Sequence, residues 1–136
     1  MINTAVIESK IESGIGLLEK LKDILKEHSV SKTLQEYLLY AAEKKAEEIV
    51  ELAISINQEL LKEKGKVALS YYESFSNLTF LGFKEAELKE LSSTAGFRNR
   101  LAHEYLEINP EIALRSMQKI IKIYPTYFKK IKSILK

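Results

Sequence analysis

The sequence predicts an all-α protein, an up-and-down four-helix bundle with an additional short helix. Three observations predict it. Two prolines and five glycines are the only strong breakers in 136 residues. Apolar residues recur at steps of three and four along nearly the whole chain, and strand-like alternation is scarce. The length suits one domain, expected over 1–136, and 46% hydrophobic residues supply a core.

The elements follow in order. Ile7, Ile11, Leu18, Leu21 and Leu25 mark one face of a first helix, capped by Asn3 or Thr4. Gly14 and Gly16 weaken it or admit a close neighbour. Thr33 and Glu36 have capping-box spacing. From there Leu38, Ala42, Ile49, Ala53, Ile56 and Leu60 carry a long helix to Gly65, a C′ residue. Ser70 and Glu73 form a second capping box and open a short helix, YYESFSNLTFL, ended by Gly82. A fourth long segment starts near Lys84 and runs through Leu88 and Leu91 into GFRNRLAHEY. Asn109-Pro110 is an N-cap followed by proline at the first helical position. The last helix uses Ile112, Met117, Ile120, Ile121 and Ile123, and Pro125 is expected to break or kink it.

Bulk properties exclude several classes. There is no cysteine, so disulfides, thiolate metal sites and cysteine nucleophiles are ruled out. A net charge of +2 does not announce a nucleic-acid binder, although a local basic patch is compatible with it. No apolar run of about 18 residues is present and the N-terminus lacks a signal-peptide centre. The expectation is a cytoplasmic protein with no membrane association.

The distribution of arginine is uneven. Two of the three arginines, against eighteen lysines, lie in GFRNRLAHEY, Gly96 to Tyr105. On a helix, Asn99, Arg100 and His103 share a face, whereas Arg98 lies about 140° from His103. Those two converge only through side-chain reach, or if the helix unwinds before His103. A guanidinium fork matches phosphate oxygens, and imidazole moves protons near neutrality. The set suits RNA phosphodiester cleavage, with Arg98 and His103 catalytic and Asn99 and Arg100 supporting or RNA-binding. No metal and no cofactor is required, and the products would be a 2′,3′-cyclic phosphate and a 5′-hydroxyl. Such cleavage wants two proton-transfer groups, and a two-fold homodimer would supply a second His103. The same cations also suit a plain helix C-terminus, where they favour the macrodipole.

GFRNRLAHEY resembles the Arg-x4-His-x-Tyr signature of the HepT family in the HEPN superfamily. The resemblance extends over the order of segments, from the long EYLLYAAEKKAEEIVELAISI through YYESFSNLTFLGF to INPEIALRSM. It implies a homodimeric helical bundle with both motifs in a shared cleft, and a type VII-like toxin that cleaves RNA, with tRNA the favoured substrate class. It implies a partner, an MntA-like minimal nucleotidyltransferase antitoxin, that transfers AMP onto the motif tyrosine, here Tyr105. Arg98 and His103 match the catalytic pair. Ala102 stands where many relatives have a larger aliphatic residue, which would loosen packing under the histidine. The alternative is a catalytically weak dimer that binds the nucleotidyltransferase or RNA.

Other candidates have plainer readings. Tyr71 and Tyr72 suit core and rim packing or base stacking. Tyr124, Tyr127 and Phe128 suit a core or a partner contact. Lys129, Lys130, Lys132 and Lys136 form a basic tail. His28 suits a helix end, and Arg115 either joins the basic cleft or lies on the surface.

Overall fold

The computed structural model describes residues 3–27, 32–103 and 108–135, and the side chains of these apart from 32–34. His28, Tyr105 and the Thr33 side chain therefore lie outside the described residues.

Helix α1 spans Thr4–Lys26. Asn3 caps it, its Oδ1 accepting from the Val6 amide at 3.2 Å. Ile7, Ile11, Leu18 and Leu21 are buried and Leu25 is half-buried, on the face that the spacing predicts. Helix α2, Lys32–Glu63, starts one residue before Thr33, so Thr33 is not its N-cap. Ala42, Ile49, Ala53, Ile56 and Leu60 are buried along it. Gly65 closes it at φ +66°. The Gly65 amide donates to Lys62 at 3.0 Å and the Lys66 amide to Leu61 at 2.9 Å, which is a Schellman cap.

The short helix is divided. Helix α3 is Tyr71–Ser76, and a 3-10 turn, Thr79–Leu81, follows after a break at Asn77. Asparagine competes for backbone hydrogen bonds and leaves helical geometry readily, and past the break Leu78 is fully buried. Ser70 Oγ accepts from the Glu73 amide at 3.1 Å, as expected. The returning bond from Glu73 goes one residue further back, to the Leu69 amide at 2.8 Å.

Helix α4, Glu85–Ala102, opens with the Lys84 amide donating to Glu87 at 2.8 Å. Helix α5, Pro110–Ile134, opens with Asn109 Oδ1 accepting from the Glu111 and Ile112 amides. It does not stop at Pro125. An internal proline costs about 3 kcal/mol. Tyr124, Tyr127 and Phe128 are fully buried on either side of it, and burying each such side chain contributes roughly 1.5–3 kcal/mol. Packing therefore outweighs the lost hydrogen bond. The inward face of α5 also differs from expectation at Ile112, which is 40% exposed, while Ala113 is buried.

α1 packs on α2 and α5, α2 on α4, and α4 on α5, closing a four-helix bundle, with α3 against α2 and α4. No strand occurs among the described residues. The aromatic residues of α5 form the centre: Phe83 stacks on Tyr127 at 6.1 Å, and Phe75 meets Tyr124 edge-on at 6.5 Å. Their hydroxyls are satisfied. Tyr124 shares a 2.7 Å hydrogen bond with Thr94. Tyr127 donates to Asn57 Oδ1, and Asn57 Nδ2 donates onward to Ser74 Oγ at 3.4 Å.

The two glycines of α1 differ in what surrounds them. A Cβ at Gly14 would overlap the Phe128 ring, while nothing lies within 4 Å of one at Gly16. Gly16→Ala is expected to stabilise by up to about 1 kcal/mol through helix propensity. Gly14→Ala is expected to destabilise, because overpacking costs about 1–3 kcal/mol and the buried ring has nowhere to go. Urea midpoints of the two variants should move in opposite directions; movement in the same direction would refute this account of Gly14.

Candidate active site at the C-terminus of helix α4

The candidate residues occupy the last turn and a half of α4, and the fold divides them. Arg98 is mostly covered, its side chain 20% exposed. Its Nη2 donates to Glu51 Oε1 of α2 at 2.8 Å and its Nη1 to Asn99 Oδ1 at 3.3 Å. Its guanidinium carbon sits over the Tyr71 ring of α3, 5.1 Å from the centroid, a distance at which a ring face attracts a cation. Its Nε is buried without a hydrogen-bond partner. Such a donor ordinarily costs about 1–3 kcal/mol and calls for an explanation.

Asn99, Arg100 and His103 are exposed. α4 ends at His103, where the backbone leaves helical geometry at φ −95° and ψ 80° and the His103 amide donates to the Arg100 carbonyl at 3.3 Å. The helix therefore does not unwind before His103, and of the two routes to convergence the reach of the Arg98 side chain is the one left. Five residues of helix separate Arg98 from His103, about 7.5 Å along the axis. Ala102, beside the histidine, is exposed.

Beside this end of α4, α5 contributes further cations. Arg115, Lys119, Ile112 and Ser116 line a shallow groove of about 350 Å³. Lys119 donates to Ser93 of α4 at 2.9 Å across the two helices. One turn nearer the start of α5, Arg115 is exposed, level with the stretch of α4 that leads to Arg98 and Arg100. Tyr71 and Tyr72 are rim residues, 40% and 49% exposed. No group of three or more His, Asp or Glu side chains placed to hold a metal ion occurs among the described residues. None of the described helices is long and apolar enough to cross a membrane.

Sequence reasoning missed Glu51. No spacing connects residues 51 and 98, and Glu51 resembles the other acids of α2. Tyr71 was noticed, but as packing rather than as the wall behind an arginine.

The described residues thus form an all-α bundle in which one helix ends in a held arginine and an exposed histidine, with cations beside them. The chain belongs to the HepT-like ribonuclease family, whose model matches residues 15–134. It is 29% identical over 139 residues to a tRNA nuclease HepT of Aphanizomenon flos-aquae, covering 98% of this chain and 92% of that one. A putative RNase of Archaeoglobus fulgidus is 28% identical over 87 residues, covering 63% of this chain and 66% of the relative. Among solved structures, the chain shares its fold with the tri-AMPylated HEPN toxin of Shewanella oneidensis, which was solved in complex with its MNT antitoxin. The TM-score is 0.76 at 20% identity, over 98% of this chain and 99% of that one.

Proposed function

We propose that the whole chain, 1–136, is one HEPN/HepT-like domain that acts in the cytoplasm as a metal-independent endoribonuclease toxin on RNA, with tRNA as substrate. The observation that carries this reading is the exposed His103 at the end of α4, one and a half turns past a guanidinium held in place by its neighbours. His103 exchanges a proton with the ribose 2′-hydroxyl or the leaving 5′-oxygen. The 2′-oxygen then attacks phosphorus, the bond to the 5′-oxygen breaks, and a 2′,3′-cyclic phosphate forms. Arg98 stabilises the charge that develops on the phosphate. Asn99, Arg100 and Arg115 bind the flanking backbone.

A second proton-transfer group comes from a second copy. In a homodimer with apposed α4 ends, the one shared cleft holds two His103 side chains, one as base and one as acid. The test is cleavage of tRNA by purified, unmodified protein in EDTA. Cyclic-phosphate ends formed without metal support the reading; cutting that needs added Mg²⁺ overturns its metal independence.

The protein is neutralised by an MntA-like minimal nucleotidyltransferase antitoxin acting on Tyr105. The phenol oxygen attacks the α-phosphorus of ATP, the α–β bridge breaks, and pyrophosphate leaves. The AMP adds charge and bulk two residues from His103, which repels RNA and occupies the arginines. Tyr105→Phe is expected to keep cleaving in the presence of the antitoxin and ATP, with no mass increment of AMP. An increment on that variant would place the modification elsewhere.

A further inference from the structure

Arg98 is held by two groups that the reaction above leaves without a task. We propose that Glu51 is a positioning residue for RNA cleavage: with the Tyr71 ring as a second wall, it fixes the Arg98 guanidinium so that the donors left over meet the scissile phosphate. This rests on the reading of Arg98 as the phosphate-stabilising group.

The donors can be counted. A guanidinium has five N–H groups. One on Nη2 goes to Glu51, one on Nη1 goes to Asn99, and Nε is buried. One donor on each terminal nitrogen remains for an incoming phosphate. An arginine that merely sought the best hydrogen bonds would turn Nε to water or to an acceptor. Here Nε stays unpaired, so the side chain is oriented by the carboxylate at its tip and the ring beneath it.

Glu51 also behaves unlike the acids around it. Glu47 and Glu48 pair with lysines on their own helix, Lys44 and Lys45, at 3.6 and 3.9 Å. Glu51 reaches across to α4 with a much shorter contact of 2.8 Å. The helix that carries the other wall is anchored as well. Ser74 Oγ donates to the Tyr71 carbonyl at 2.7 Å, and Ser74 is joined through Asn57 to Tyr127 in the core. α3 is thus tied down next to the guanidinium.

A carboxylate beside a phosphate site weakens binding by charge repulsion. Its benefit must therefore appear in the chemical step, which gives the test its direction. Glu51→Ala is expected to lower kcat tenfold to a hundredfold, on the order of what misplacing a catalytic group costs, with KM unchanged or lower. Glu51→Gln keeps an acceptor oxygen at the same place and should recover kcat to within about threefold of the parent. In an Arg98→Ala background, Glu51→Ala should cost nothing further, since it acts only through Arg98. All variants are compared at matched melting temperatures. Parent-level kcat in Glu51→Ala, or a loss that adds in full to that of Arg98→Ala, overturns the positioning role while the site assignment stands. Parent-level cleavage by Arg98→Ala overturns both.

Discussion

Cleavage by His103→Ala is expected to fall by about two to four orders of magnitude, the usual contribution of a general acid or base, while the bundle stays folded. His103 is exposed at the end of α4, and its backbone amide donates to the Arg100 carbonyl, a hydrogen bond that alanine keeps. The substitution leaves the buried core untouched, so the bundle should remain folded. Arg98→Ala should reduce cleavage by about 10²–10³, the loss typical of one donor to a developing oxyanion. Glu51 is then left without its partner, but it is 43% exposed and remains hydrated. The measurement is single-turnover cleavage of tRNA, with circular dichroism melts run on the same preparations. A folded His103→Ala protein that cuts at the parent rate would remove the histidine from the mechanism, and equal traces of cutting by both proteins would favour the catalytically weak dimer that binds the nucleotidyltransferase or RNA.

The largest effect on stability is expected at Tyr127. Truncating a buried aromatic side chain costs about 3–5 kcal/mol. Tyr127→Ala also strips the donor from Asn57, which is fully buried, and an unsatisfied buried amide adds about 1–3 kcal/mol. Together these approach the whole stability of an ordinary domain. Tyr127→Phe separates the two contributions, because it keeps the ring packed on Phe83 and Phe128 and loses only the hydroxyl. Burial pushes the Tyr127 phenol well above its ordinary pKa, so it stays a neutral donor throughout the accessible pH range. Urea unfolding followed by helical ellipticity should show Tyr127→Ala largely unfolded in buffer and Tyr127→Phe folded with a lower midpoint. A loss below about 2 kcal/mol in the alanine variant would mean that the core repacks around the gap.

The legible parts of this protein are those set by local rules. Asn3, Gly65, Ser70 and Asn109 sit at helix ends where their own chemistry places them, and the buried faces of α1 and α2 follow the apolar period. The pattern is least sufficient where tertiary packing competes with a local preference. Pro125 does not break the last helix, because three buried aromatic residues beside it keep α5 continuous. Ile112 looks like a core residue in the pattern and lies on a groove wall, because the face of α5 that packs inward runs through Ala113, Met117 and Ile120.

The candidate site divides in the same way. Which residue types are present, and their order along α4, was determined by the sequence alone: Arg98, Asn99, Arg100 and His103 bring two guanidiniums, an amide and an imidazole to this helix end wherever the helix points. What each of them faces was decided only by the tertiary structure. Arg98 turns inward because α2 presents Glu51 and α3 presents Tyr71 at its level, while Asn99, Arg100 and His103, on the other face of α4, stay in solvent. Residues 51 and 98 are 47 positions apart, and no period of a helix spans that gap. Only the packing of α2 against α4 brings a carboxylate to the guanidinium.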